Sequence, residues 1–290
     1  MKLDNSKKIL IIGLGLIGGS YADALTKNGY EVGAIEPNEK SLAYALSHCL
    51  ISHGRVDVDS DYIGRFDLVV FALYPHILIE WIEKNQKYLK NGAVLTDVTG
   101  VKGCVVYKIQ SILREGIEFI GAHPMAGREK SGIEAADGSI FRGANYIVTP
   151  TEKNSERAVR LCSSLGETLG FERITELSPE KHDEMIAFLS QLTHCIAVSL
   201  MTSRDTSSLA DYTGDSFRDL TRIAKINDEM WSELFIDNKD ELLRQMNAFE
   251  DAFNKLKQTI EDCDRDAMRE IMRRSTEQRI LFDRKEVKPL

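Results

Sequence analysis

The chain has 290 residues, of which 43% are hydrophobic and 28% are charged, a composition typical of a soluble globular protein of about two domains. Its 37 basic and 45 acidic residues give a net charge of −8, which argues against nucleic acid as the main partner because a phosphate-binding surface needs a basic footprint. The five cysteines are widely spaced and form no CxxC motif, so the sequence predicts neither a metal site nor a disulfide framework.

The N-terminal segment does not have the pattern of a membrane span or a secretion signal. Its first eight residues, MKLDNSKK, are polar, and the apolar run after them is short and interrupted by glycine. Such a run is too short to cross a bilayer and lacks a signal-peptide cleavage pattern. We therefore expect a cytoplasmic protein with reduced thiols and no membrane partner.

Up to about residue 177, short β-rich runs alternate with helical patterns. Continuously apolar strands separated by helices are typical of a parallel sheet covered on both faces. The sequence therefore predicts an α/β Rossmann-type domain with a doubly wound parallel sheet over residues 1–177. The predicted strands are 9–12, 31–35, 67–73, 93–97, 119–122, 146–149 and 172–176, and the clearest helices are 19–28 and 152–169.

The pattern changes at Ser178, which is suited to cap a helix whose first residue is Pro179. From there on only helical periodicity is evident, so we expect an all-helical second domain over residues 178–290. Its predicted helices are 179–203, 215–225, 228–236, 238–261 and 264–284.

A glycine-rich turn follows the first predicted strand and opens a helix. It reads GLGLIG from Gly13 to Gly18, and Glu36 ends the second predicted strand. A GxGxxG motif alone is weak, but between a strand and a helix, with a following acid, it is the dinucleotide-binding fingerprint. Gly13 allows the tight turn, Gly15 lets the backbone approach the diphosphate, and Gly18 lets helix and strand pack closely.

The acid at the end of the second strand also indicates which dinucleotide binds. Glu36 is suited to accept hydrogen bonds from the adenosine ribose hydroxyls, whereas a 2′-phosphate would meet its like charge, so the sequence favours NAD over NADP. The alternative is a glycine-rich turn of some other α/β fold. The expected cofactor contacts are Gly13, Gly15, Leu16, Ile17, Gly18 and Glu36, with Leu73 at the end of the third strand.

His123 leaves a buried predicted strand and enters a loop rich in proline and glycine. Ligands of a doubly wound sheet bind beyond the carboxyl ends of its strands. Oxidation of an alcohol by NAD also requires a group that removes the hydroxyl proton, and neutral imidazole has a suitable pKa. We therefore predict that His123 is catalytic, the alternative being an ordinary buried or solvated histidine.

The helical region offers further candidates for a ligand site. His194 lies opposite the apolar stripe of the helix 179–203, whereas His182, in the first turn of that helix, is predicted to be structural. Arg222 shares a face of the next helix with Arg218 and Lys225. Such a stripe is usually a solvated face, but arginine is well suited to bind a carboxylate.

These residues fall in motifs that resemble the prephenate/arogenate dehydrogenases of tyrosine biosynthesis, and the resemblance covers almost the whole chain. The matching segments are GLGLIGGS at 13–20, TDVTGVKG at 96–103, HPMAGREKSG at 123–132, LSQLTH at 189–194 and FRDLTRIAKINDEMW at 217–231. The resemblance implies NAD-dependent oxidative decarboxylation of prephenate to 4-hydroxyphenylpyruvate. It also implies a homodimer formed through the helical domain.

The resemblance implies a role for each matching position. His123 matches the catalytic histidine that takes the proton of the C4 hydroxyl, and Arg222 matches the arginine that binds a substrate carboxylate. The other expected substrate contacts are His194, Glu129, Asp219, Trp231, Thr99 and Arg128. The pair Thr99-Gly100 stands where many members have Gly-Ser, and Arg128 either grips the pyruvyl carboxylate or points to solvent.

Several other readings of the sequence remain open. An arogenate dehydrogenase would have the same motifs, since its substrate differs only in the side chain. β-Hydroxyacid dehydrogenases and imine reductases share the two-domain plan and commonly use a lysine of the first long helix of the second domain. Lys181 lies only at the start of that helix, and this reading leaves the HPMAG loop unexplained. A non-catalytic NAD-binding module is the last alternative.

Overall fold

The computed structural model describes residues 3–128, 130–205 and 208–283. At its centre is an eight-stranded sheet with the order β3-β2-β1-β4-β5-β6-β7-β8. The strands are β1 (Ile9–Ile12), β2 (Val32–Ile35), β3 (His53–Arg55), β4 (Leu68–Phe71), β5 (Val94–Asp97), β6 (Glu118–Met125), β7 (Asn145–Thr149) and β8 (Arg173–Glu176).

Helices connect most of these strands and make up the rest of the chain. They are α1 (Leu16–Lys27), α2 (Glu39–Ser47), α3 (Ser60–Ile63), α4 (Pro75–Asn85), α5 (Gly103–Ile112), α6 (Glu156–Leu169), α7 (Pro179–Ile186), α8 (Leu192–Thr202), α9 (Asp215–Thr221), α10 (Asp228–Asp237), α11 (Lys239–Glu261) and α12 (Arg265–Ile280).

The sheet is covered on both faces, as its apolar strands predict. All four residues of β1 are buried. Ile9 and Ile11 belong to one hydrophobic cluster, whereas Leu10 and Ile12 belong to a second. Successive side chains of a strand point to opposite faces, so the two clusters lie on the two sides of the sheet, as expected for a Rossmann-type fold.

The sheet is not parallel throughout, because β7 pairs antiparallel with β6. A parallel return needs a crossover that carries the chain back to the other end of the sheet, usually as a helix. The segment between Met125 and Asn145 contains only two 3₁₀ turns, Ile133–Ala135 and Gly138–Phe141, in its described part. The chain therefore re-enters the sheet at the end where it left, and the prediction of a purely parallel sheet was wrong at this strand.

The predicted helix 179–203 is continuous but not uniform. The Ser178 side chain accepts a hydrogen bond from the Lys181 N–H and Pro179 opens α7, as the sequence predicts. A π-helical turn over Ala187–Gln191 then joins α7 to α8. The span Pro179–Thr202 is long and apolar enough to cross a membrane by length and composition, and 28% of its apolar window is buried within this fold. His182 and Gln191 are among its buried residues.

The chain forms two compact units, Met1–Lys239 and Asp240–Leu290. The first contains the whole sheet and the helices α1 to α10. The second consists of almost all of α11 together with α12. The boundary near residue 177 separates the sheet from the helical segment and stays a prediction.

Candidate active site

The three glycines of the first turn differ in the space around them. Gly13 has a φ of +93°, and a Cβ there would lie 2.6 Å from the Ala72 carbonyl oxygen. At Gly18 a Cβ would lie 2.0 Å from the Gly13 carbonyl oxygen, whereas at Gly15 it would meet nothing within 4 Å. Two glycines therefore permit close packing of the turn, and the third leaves open space at the start of α1.

The start of α1 presents backbone N–H groups without a side-chain cap. Gly15 occupies the N-cap position and has no side chain to offer. Leu16 and Ile17 form the first turn and are half-buried. Leu73, just after β4, lies beside the turn, since its Cδ2 is 3.0 Å from the position a Cβ would take at Gly13. An uncapped helix start is a favourable site for a phosphate group.

Glu36 follows β2 directly and faces the glycine turn. Its Oε2 accepts a hydrogen bond from the Leu14 N–H at 2.7 Å, and its Oε1 accepts one from the Asn38 N–H at 2.8 Å. The carboxylate is thus held beside the turn while it remains half-buried. The open space at Gly15, the uncapped helix start and this carboxylate together fit NAD, the cofactor that the sequence predicts.

The loop after β6 crosses α1 close to this turn. The Asp137 N–H donates to Ser20 Oγ at 3.0 Å, and the Gly138 N–H donates to Asp23 Oδ2 at 2.9 Å. Arg128 pairs with Asp137 at 3.0 Å. Hydrogen bonds from Ser139, and then from Arg128, lower the pKa of Asp137 to about 2. Glu129, expected in the substrate pocket, lies outside the described residues.

A buried polar network lies at the carboxyl end of β5. Lys102 Nζ donates to Asp97 Oδ2 at 2.5 Å, and both side chains are fully buried. The Thr99 hydroxyl donates to the same carboxylate and accepts from Lys102 Nζ. Asp97 Oδ1 accepts the Ala122 N–H at 3.0 Å. The network therefore joins the end of β5 to β6 one residue before His123, and Thr99 is part of it.

His123 lies in β6 and contacts a second histidine. Its Nδ1 is 2.9 Å from His182 Nε2, and His182 Nδ1 is 2.7 Å from Asp183 Oδ1. Burial, followed by the nearby His182 and Lys102, holds the pKa of His123 well below its ordinary value of 6.5. The imidazole is therefore neutral near pH 7, which is the form that accepts a proton.

His194 and Trp231 form a second half of the candidate site. Their rings stack with centroids 3.7 Å apart, and His194 Nδ1 is 2.9 Å from the Ser190 carbonyl oxygen. Burial is the main cause that lowers the pKa of His194. The stack fixes the orientation of both rings, so that α8 and α10 present an aromatic surface.

Arg222 lies in a 3₁₀ turn, Arg222–Ala224, that follows α9 and packs against α8. A single helix was predicted over 215–225. In the structure the α-helix α9 ends at Thr221, and the 3₁₀ turn continues it. Arg218 pairs with Asp215 at 3.0 Å, so it is already engaged within α9. Asp219 is exposed on the same helix.

The helix α10 packs against the segments that follow β4 and β5. Glu233 Oε1 accepts the His76 N–H at 2.9 Å, in the first turn of α4, the helix that follows β4. Leu234 of α10 lies close to Gly100, which follows β5. A Cβ at Gly100 would be 3.2 Å from Leu234 Cδ1. Trp231 is therefore carried on a helix that contacts the start of α4 and the segment after β5, next to the strand that bears His123.

The structure thus brings several predicted residues to one edge of the sheet and adds others. Lys102, Asp97 and Asp183 were not predicted, and His182 was predicted to be merely structural. The sequence does not show that these side chains are buried, and only their burial in the structure, which is rare for charged residues unless they are paired, indicates that they interact. That His123 and Arg222 converge on one substrate remains a prediction, as do the functions of the individual residues.

Comparison with known proteins identifies the family. The model described as "Prephenate dehydrogenase, nucleotide-binding domain" matches residues 21–174, and "Prephenate dehydrogenase, dimerization domain" matches residues 178–274. A prephenate dehydrogenase of Bacillus subtilis is 31% identical over 265 residues, covering 88% of this chain and 71% of that protein. A cyclohexadienyl dehydrogenase of Zymomonas mobilis is 28% identical, covering 94% and 95%.

A solved structure agrees with these matches. The crystal structure of prephenate dehydrogenase from A. aeolicus, in complex with hydroxyphenyl propionate and NAD+, is 30% identical with a TM-score of 0.87. The alignment covers 96% of this chain and 98% of that one. Together with the NAD-binding turn and the histidine at the end of β6, these matches show that the chain belongs to the prephenate dehydrogenase family.

Proposed function

We propose that this protein is an NAD-dependent prephenate dehydrogenase, which converts prephenate to 4-hydroxyphenylpyruvate, CO2 and NADH. The observation that carries the proposal is the position of His123 near the carboxyl end of β6, with its Nδ1 2.9 Å from His182 Nε2. Ligands bind at this end of the strands in a doubly wound sheet. The family match over both parts of the chain supports the same reaction.

The reaction divides into a hydride transfer and a decarboxylation. NAD accepts the hydride that leaves ring C4. As the C4–H bond breaks, the C4 hydroxyl gives its proton to His123 and a C4 carbonyl forms. The bond to the ring carboxylate then breaks, CO2 leaves, and the electron pair makes the ring aromatic. His123 returns its proton to the phenolate oxygen, so that it is neutral again for the next turnover.

The other residues of the proposed site hold the substrate. Arg222 is suited to bind a substrate carboxylate with two parallel hydrogen bonds. His194 and Trp231 supply the stacked surface of the pocket. Thr99, Asp219, Glu129 and Arg128 complete the proposed set of contacts with the substrate.

The helical region is also proposed to form a homodimer. The family model for residues 178–274 is described as a dimerization domain. Within the second compact unit, α11 exposes an apolar stripe in which Phe253 is 59% exposed. Its other exposed members are Leu243, Met246, Phe249 and Ile260. Burial of this stripe against a second copy removes apolar area from water, and light scattering at micromolar concentration checks it, since a stable monomer contradicts the proposal.

The rival readings are less well supported. In β-hydroxyacid dehydrogenases the key lysine lies on the first long helix of the second domain, whereas Lys181 here is exposed and pairs with Glu184 at 2.9 Å. Arogenate remains the nearest alternative substrate. The protein is proposed to act in the cytoplasm, since no part of the reaction requires a membrane.

Steady-state kinetics test the proposal. NADH formation is measured with prephenate and with arogenate, each with NAD and with NADP. We expect the highest kcat/KM for prephenate with NAD, because Glu36 repels a 2′-phosphate. A higher kcat/KM for arogenate would show that arogenate, rather than prephenate, is the substrate. No turnover with either compound would overturn the proposed function.

A further inference from the structure

Asp183 is held by hydrogen-bond donors around its carboxylate. Its Oδ1 accepts the Lys102 N–H at 2.8 Å, and its Oδ2 accepts the Gly103 N–H at 2.7 Å. His182 Nδ1 lies 2.7 Å from the same Oδ1. An ionised carboxylate only accepts hydrogen bonds, so His182 Nδ1 must carry a proton and donate it to Asp183.

This assignment fixes the proton on the next ring. In neutral imidazole one nitrogen donates and the other accepts, so His182 Nε2 has a lone pair facing His123 Nδ1 at 2.9 Å. If His182 Nε2 instead donated to His123 Nδ1, both nitrogens of the His182 ring would have to carry a proton. That ring is fully buried, and burial lowers its pKa. His123 Nδ1 therefore carries the proton, and His123 Nε2 is left as the acceptor.

We propose that His182 and Asp183 are positioning residues that hold His123 in the tautomer whose Nε2 is free to accept the substrate proton. This inference rests on the proposed function for the identity of the proton donor. Both residues act through His123 and not on the substrate. His182 contacts His123 Nδ1, whereas the substrate proton goes to His123 Nε2.

The same pair stabilises the charge that forms during turnover. When His123 Nε2 takes a proton, the ring becomes an imidazolium and its Nδ1–H bond to His182 becomes charge-assisted. Asp183 then lies behind His182 with the opposite charge. The other ionic groups nearby, Lys102 and Asp97, are already paired with each other at 2.5 Å.

Two substitutions at His182 separate a positioning role from a packing role. His182→Gln keeps an amide oxygen able to accept from His123, whereas His182→Leu fills the space without an acceptor. We expect His182→Leu to lower kcat about 10-fold or more, a part of the 100- to 10,000-fold that a general base contributes. His182→Gln should retain most of kcat. In both variants KM for NAD and for prephenate should stay within about two-fold. His48→Leu, at the exposed C-cap of α2, is the control histidine variant.

The tautomer itself is measured by ¹⁵N NMR of the full chain with labelled histidines, assigned by loss of the His123 signals in His123→Asn. We expect a protonated Nδ1 and an unprotonated Nε2 on His123 in the wild type and in His182→Gln, and a mixture in His182→Leu. A wild-type His123 protonated on Nε2, or equal kcat for His182→Leu and the wild type, would overturn the inference. Failure of the wild type to turn over prephenate or arogenate would instead overturn the proposed function, since the NMR measurement needs no turnover.

Discussion

The contrast between Gly15 and Gly18 gives a test of the cofactor site. Both belong to the same motif, but a Cβ at Gly15 meets nothing within 4 Å, whereas a Cβ at Gly18 would lie 2.0 Å from a backbone oxygen and 2.9 Å from Ala72 Cβ. We therefore expect Gly15→Ala to impair NAD binding without loss of stability, and Gly18→Ala to destabilise the fold itself.

The expected magnitudes follow from the backbone geometry. Gly15 has φ −76° and ψ −160°, which alanine adopts without strain. The entropic gain of about 0.4–1 kcal/mol is offset by a similar loss at an N-cap position, so Tm should change by no more than about 2 °C. At Gly18 the methyl group cannot swing away, and overpacking costs about 1–3 kcal/mol, or roughly 3–10 °C.

Thermal unfolding with and without NAD, together with KM for NAD, tests this contrast. For Gly15→Ala we expect KM for NAD to rise about tenfold, which corresponds to about 1.4 kcal/mol, and the stabilisation by saturating NAD to shrink by a similar amount. Gly15→Ala with unchanged NAD affinity would show that the diphosphate does not approach this backbone, and a loss of stability equal to that of Gly18→Ala would refute the packing argument.

Four further predictions concern the reacting end of the site. His123→Asn should lower kcat by about 100-fold or more while the Kd for NAD, measured by calorimetry, stays the same; an active variant would exclude His123 as the base. Arg222→Ala should raise KM for prephenate by about 30-fold or more, equivalent to the 2–4 kcal/mol of a lost charge-assisted pair, and an unchanged KM would remove Arg222 from its proposed role. Lys102→Met should lower the free energy of unfolding in urea by about 3–5 kcal/mol because it leaves Asp97 buried without its partner, and adding Asp97→Asn should recover part of that loss. Burial places the pKa of His123 below 6.5, so kcat/KM should fall only at pH values below 6.5. The free energy of unfolding should also fall as the pH drops below 6.5, because the unfolded chain then binds more protons than the folded one. A fall in kcat/KM that begins above pH 6.5 would contradict the assignment of His123 as the base.

Much of the sheet could be predicted from local patterns. The buried strands β1 and β4 are apolar throughout and were placed within two residues of their observed ends. The short strand β3, over His53–Arg55, has no such pattern, because an edge strand with polar residues is stabilised by pairing with β2 rather than by its own composition. The strand β7 was predicted at nearly its observed position, but its antiparallel direction was not, since strand direction depends on the path of the connecting loop.

The candidate site was only partly predictable for a related reason. His123 could be proposed because it follows the apolar run 119–122 in a segment of unusual composition, although β6 continues through His123 to Met125 rather than ending before it. The contact between His123 and His182 joins residues 59 positions apart, and no spacing rule relates a strand end to the first turn of a distant helix. The buried pair of Lys102 and Asp97 likewise becomes evident only when both side chains are seen to be fully buried.

A crystal structure of this protein with NAD and a hydroxyphenyl substrate analogue would show whether His123 and Arg222 meet at one substrate. We expect the phenolic oxygen to lie within hydrogen-bond distance of His123 Nε2, and the analogue carboxylate to pair with the Arg222 guanidinium. We also expect the ring to lie over the nicotinamide. An analogue bound away from His123, or an Arg222 directed to solvent on the far side of the subunit, would contradict the proposed active site.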